Sequence, residues 1–124
     1  MLMTASPTNE TDAGLTGVTT ATIRTLNDTF RRNPGGEGLM MTAGVSTLAM
    51  NELALLLRAV CDFDNFDAGN DPYNEHDFGA VERDGTTYFW KIDYYDLDRR
   101  YGSADPSDPN VTNRVLTIMR ADEY

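Results

Sequence analysis

The chain has 124 residues and 40% apolar content, enough for one modest core and too little for a second domain. Its 20 acids against 10 bases leave a formal charge of -10, a field that repels phosphates and argues against direct nucleic-acid binding. A single cysteine excludes an internal disulfide, and no apolar run is long enough to span a membrane, so the expectation is a cytoplasmic protein.

Residues 1–19 are rich in Thr, Ser, Gly, Asn and acids, and read as a flexible N-terminal tail ahead of one domain over 20–124. From Thr20 the pattern turns helical. Ile23, Leu26 and Phe30, with neighbouring Ala21 and Asn27, fall at helical spacing, Arg24, Arg31 and Arg32 take the outer face, and Asn33-Pro34-Gly35-Gly36 stops the helix near 32. Leu39 to Thr42, between glycines, predicts a buried strand over about 38–43. A longer helix over about 46–61 follows, capped by Ser46 or Thr47. Its Leu-rich content predicts burial on more than one side, Cys61 reads as a buried thiol, and Phe63 and Phe66 are placed to seal its end over the sheet.

Residues 62–77 carry six acids and no base, which predicts a charged loop. Two runs of strand formers then flank Asp84-Gly85, a dipeptide suited to the positive φ angles of a tight hairpin. With those two residues as the loop, Gly79 lies opposite Trp90 and His76 opposite Asp93. Alternation puts Val81, Tyr88, Trp90 and Ile92 on a core face, and His76, Lys91 and Asp93 on the other. Gly79 would leave room for the indole. Asp-Pro steps break the chain at 105–109, and the segment around 111–120 is assigned to a strand. The expected architecture is α+β, a small antiparallel sheet with a central Asp-Gly hairpin and two helices packed on one face.

Several chemistries can be weighed on these residues. The acidic loop fails as an EF-hand: counted from Asp62, Phe66, Asp67 and Tyr73 stand where an oxygen ligand, Gly and Glu are required. A divalent-metal site built from Asp71, Glu75, Asp77 and Asp93 is an alternative, whereas zinc lacks its nitrogen and sulfur ligands. A catalytic alternative centres on His76, Asp77, Lys91 and Asp93, since carboxylates can orient an imidazole as a general base. No nucleophile elbow, phosphate-binding loop or paired-cysteine motif is present. No cofactor is expected.

The strings Ile23 to Arg31, Asn70 to Gly79, Trp90 to Asp96 and Arg114 to Met119 with Glu123-Tyr124 resemble an uncharacterised bacterial family, domain of unknown function 3768. The likeness covers roughly 21–124. The resemblance implies no activity and assigns no catalytic residue. It does imply a cytoplasmic setting and, because members look like alphaproteobacterial proteins often carried on plasmids and other mobile elements, plasmid or phage biology.

Charge asymmetry, small size and that context together predict a non-enzymatic, inhibitor-like binding protein of a mobile element. Such a protein would act as a nucleic-acid mimic on a host defence or nucleic-acid-binding complex such as CRISPR or restriction machinery. Residues 1–60 carry five acids and four arginines, whereas 61–124 carry fifteen acids and six bases. The partner is therefore expected to be a basic protein surface, met by Asp62, Asp64, Asp67, Asp71, Tyr73, Glu75, Tyr95, Asp96 and Asp98. Neither nucleic acid nor membrane is an expected partner. Homodimerisation through exposed aromatics is a further alternative.

Overall fold

The computed structural model describes residues 9–124, with side-chain environments from residue 19 onward. Helix α1 (Asn9–Arg32) leads through a single 3-10 turn into strand β1 (Leu39–Met41). Helices α2 (Ala43–Ser46) and α3 (Met50–Cys61) follow, then β2 (Phe78–Arg83), β3 (Thr86–Tyr95) and β4 (Asn113–Arg120). The strand order is β1-β4-β3-β2, and the class is α+β.

The sheet is mixed rather than antiparallel throughout. β1 runs parallel to β4, with Leu39 beside Leu116 and Met41 beside Ile118, while β2, β3 and β4 alternate in direction. No hairpin joins β1 to β4, so turn chemistry does not constrain their relative direction. The Asp84-Gly85 hairpin lies at one side of the sheet, with β2 as an edge and β4 taking the interior position beside β3. Its register pairs Arg83 with Thr86, Gly79 with Trp90 and Phe78 with Lys91. Both loop residues have positive φ, 51° at Asp84 and 80° at Gly85, as a two-residue hairpin of this hand requires.

The first helix begins at Asn9, well before the expected start near 20. Ile23 is the first core residue among those whose side chains are described. Of the expected tail, residues 1–8 lie outside the described residues and the rest form the opening turns of α1.

The second helix also differs from its expectation. Thr47 donates its hydroxyl to the Ala43 carbonyl at 2.8 Å and so closes α2, and Ala49 stands at the N-cap of α3. α3 buries one side only. Leu56 and Val60, four apart, are buried, while Leu55 is exposed and Cys61 half-buried. Burial pushes the Cys61 thiol above its ordinary range.

Trp90 is fully buried at the centre of the sheet, where the Phe63 and Phe66 rings meet it edge-on at 5.4 and 6.1 Å. Gly79 makes the space: a Cβ there would stand 2.4 Å from the indole Nε1. Around Trp90 cluster Val45, Leu56, Val60, Tyr88, Ile92, Leu116 and Ile118. At the C-terminal end the Glu123 carboxylate accepts hydrogen bonds from the Thr42 hydroxyl at 2.6 Å and from the Gly44 and Arg120 amides. That latch ties the end of β4 to the β1–α2 turn. Among the described residues no helix is long and apolar enough to cross a membrane.

Candidate functional site

Arg24, Asn27, Asp28 and Arg31 recur on α1 at i, i+3, i+4 and i+7, which aligns them along one helix face. That face is polar, and it turns inward. Asn27 and Arg31 are fully buried, so Arg31 does not take the outer position its charge suggests. The stripe grips the segment before β2. Arg24 donates to the Asn74 carbonyl at 3.0 Å, Asn27 to the Glu75 carbonyl at 2.9 Å, and Asp28 meets the His76 Nδ1 at 2.9 Å.

Asn74 and His76 hold φ near +59° and +57°, a region costly for side chains other than glycine. The strain is held from two sides. The Asp71 carboxylate accepts the amides of Glu75 and His76, both at 3.1 Å, while α1 takes the two carbonyls. Strained backbone persists only where its surroundings over-determine it.

Arg31 satisfies its guanidinium on the Val60 and Phe63 carbonyls and on Asp28 at 3.0 Å, and lies 5.0 Å from the Trp90 ring centroid. Burial alone would raise the Asp28 carboxyl. Hydrogen bonds and charge from His76 and Arg31 outweigh it and hold the group below its ordinary value. Deeper in, Asn27 also donates to the Tyr94 hydroxyl at 2.8 Å and accepts from Arg114 Nε at 2.7 Å. Tyr94 in turn donates to the Glu75 carboxylate at 2.8 Å. Burial, offset in part by Asn27 and reinforced by Glu75, pushes the Tyr94 phenol strongly upward, so it serves as a donor. Burial lowers the Arg114 guanidinium.

His76 therefore belongs to the helix side of the sheet. Its ring stacks on Phe66 with centroids 3.7 Å apart and planes within 3°. Nδ1 is on Asp28, and Nε2 faces an Asp71 oxygen at 3.6 Å. Lys91 and Asp93 pair with each other at 3.0 Å on the opposite face of β3, so the expected grouping of His76 with Lys91 and Asp93 does not form. The reason is local: positive φ at His76 takes it off the strand before β2 begins at Phe78. Asp77 lies with Lys91 and Asp93 instead, in the wall of a 280 Å³ cavity. A different cavity, of about 410 Å³, opens beside His76, Asp71 and Asn74. Its lining offers no Ser, Cys, Thr or Lys that the imidazole could activate.

The expected docking residues divide in the same way. Asp62, Asp64, Asp67, Tyr73 and Asp98 are exposed, with Asp62 in a surface pair to Arg58. Tyr95 and Asp96 are half-buried, and Asp96 accepts the Arg100 amide at 3.0 Å. Asp71 is 6% exposed and Glu75 carries the Tyr94 hydrogen bond, so both serve the interior. Asp71, Glu75, Asp77 and Asp93 do not converge as ligands: among the described residues no group of three or more His, Cys, Asp or Glu is placed to hold a metal ion.

Sequence reading missed Asn27, Asp28, Arg31, Tyr94 and Arg114. The available signal is the helical spacing of the polar residues on α1: Asn27 already shares the face of Ile23, Leu26 and Phe30, and Asp28 and Arg31 lie one and four residues beyond it.

No curated protein and no solved structure matches the chain. A family model described as a protein of unknown function (DUF3768) matches residues 41–123, about two thirds of the length, and the chain belongs to that family.

Proposed function

We propose that this protein is a non-enzymatic binding protein whose acidic end docks on a basic protein surface. One observation carries the reading: both acid-rich connections leave the same end of the sheet. Phe78 pairs with Lys91, and Tyr95 with Asn113, so the start of β2, the end of β3 and the start of β4 lie together. Connection 62–77 brings six acids to that end, and connection 96–112 brings four. Among the bases there, Arg24 is bound to the Asn74 carbonyl, Arg114 is buried, Lys91 is paired with Asp93, and Arg99 and Arg100, exposed within connection 96–112, offset only two of its four acids. The field at this end is strongly negative, which favours encounter with a cationic partner.

The finer reading is a nucleic-acid mimic of a mobile element, acting on a host defence or nucleic-acid-binding complex. It is tested by capture from nuclease-treated host lysate at low and high salt. Complexes that form at low salt, are lost at high salt and are competed by added DNA or RNA support it. Reversing Asp62, Asp64 and Asp67 to Lys should weaken capture without unfolding the protein; capture indifferent to that change would remove the reading.

The catalytic alternative retains one support, the imidazole oriented by Asp28 beside a cavity. A general base needs a ring nitrogen open to a reactant, and here each nitrogen already faces a carboxylate. That arrangement suits a structural pin.

A further inference from the structure

The face of the sheet opposite α1 and α3 holds a cavity of about 280 Å³ whose lining includes Tyr73, Asp77, Phe78, Lys91, Asp93 and Tyr124. Three of these are aromatic. Tyr73 and Tyr124 are each 75% exposed, and Tyr124 packs edge-on to Phe89 at 5.6 Å and beside Phe78 at 6.2 Å. Exposed tyrosines at a concave site offer an apolar face with a polar tip, which suits contact with a partner.

The polar lining is unbalanced. Lys91 Nζ is 3.0 Å from Asp93, and that hydrogen bond raises the ammonium above its ordinary range. Among the described residues Asp77 takes no share in an ion pair. It is half-buried, with three further carboxylates, Glu75, Asp71 and Asp93, acting on it, and burial first and then these neighbours raise its carboxyl. Lys91 is the one base in the lining and is held on Asp93, which leaves Asp77 in the cavity wall open to a cation from a partner.

We propose that this cavity receives the guanidinium of one arginine side chain from a protein partner, seated between Tyr73 and Tyr124 and hydrogen-bonded to Asp77. Guanidinium is planar and weakly hydrated. It stacks on aromatic faces and meets a carboxylate with two parallel N–H donors, which a compact, strongly hydrated ammonium cannot do. The cavity is large enough for that group and its neighbouring methylenes. The inference rests on the reading of a basic protein partner and names the anchor by which such a partner would be held.

The probe is N-acetyl-arginine amide, titrated into the full chain at constant ionic strength and followed by amide chemical shifts, with N-acetyl-lysine amide as the comparison. The expected result is saturable movement at Asp77, Phe78, Lys91 and Tyr124, with a dissociation constant on the order of millimolar. Asp77→Asn should weaken it about tenfold, and Tyr124→Ala severalfold, with the remaining amide spectrum of each variant unchanged. Non-saturating shifts, shifts spread over the acidic loops, equal affinity for the lysine probe, or an unaltered Asp77→Asn titration would overturn the assignment. The titration involves no host protein, so its outcome is separate from the capture experiment. Loss of capture with the probe still bound removes the mimic reading and leaves the arginine site standing.

Discussion

Asn27 uses one amide three times, on the Glu75 carbonyl, the Tyr94 hydroxyl and Arg114 Nε, and is fully buried while doing so. Asn27→Ala removes a partner from each of those groups and leaves Tyr94 and Arg114 with only their remaining bonds to Glu75 and Pro106. Because each unsatisfied buried group costs about 1–3 kcal/mol, the variant is expected to lose about 2–4 kcal/mol in urea unfolding. Gly79 works through absence. A methyl group there meets the indole ring system at 2.4–2.8 Å, so Gly79→Ala should cost about 1–3 kcal/mol and shift the Trp90 fluorescence. That contact was legible in the sequence, because a glycine opposite the only tryptophan on a hairpin has a geometric reason to be there. The inward turn of Arg31 was not legible. A charged side chain on an amphipathic helix ordinarily faces water, and only the tertiary supply of two carbonyls, Asp28 and two aromatic rings makes burial tolerable.

Helix α1 is joined to the rest of the fold as much by hydrogen bonds as by apolar packing. Ile23 is its one buried apolar side chain among the described residues, while Arg24, Asn27, Asp28 and Arg31 all reach across. His76 sits at the end of that grip. His76→Ala removes the stack on Phe66 and one partner of Asp28, and is expected to cost about 1–3 kcal/mol in thermal or urea unfolding. An unchanged midpoint would point instead to an imidazole kept for chemistry. Strand existence and hairpin register could be read from alternation and turn residues, because both are local. The parallel pairing of β1 and the division of the second helix could not, because they depend on β4 and on a Thr47 hydroxyl that had two helices to choose between.

At the scale of the whole molecule, acid should act through two carboxyl groups shifted in opposite directions. Asp28 is held below its ordinary value, so its contribution is present above about pH 4, the range of an unfolded aspartate, and is lost as pH falls through the lower folded value. Asp28→Asn should flatten that acid limb in unfolding curves recorded between about pH 2 and pH 5. Asp77 is raised, so its protonated form is the one the fold prefers, and stability from it falls as pH rises through the folded value. Asp77→Asn should therefore raise the melting temperature at neutral pH. A variant that is more stable yet binds the arginine probe less well would mark Asp77 as a group maintained for binding.

The place of β4 between β1 and β3 also has a kinetic consequence. The last strand along the chain is the one on which the first strand and the hairpin both depend, and the contact of Asn27 with Arg114 closes a loop of 87 residues. Until that segment arrives, the hairpin is the only strand pair among the described residues able to form, and α1 lacks the arginine that anchors Asn27. Folding is then expected to be slow for a chain of this length, with a rate set by long-range closure rather than by helix formation. During that interval the hairpin's inner strand stands as an open edge.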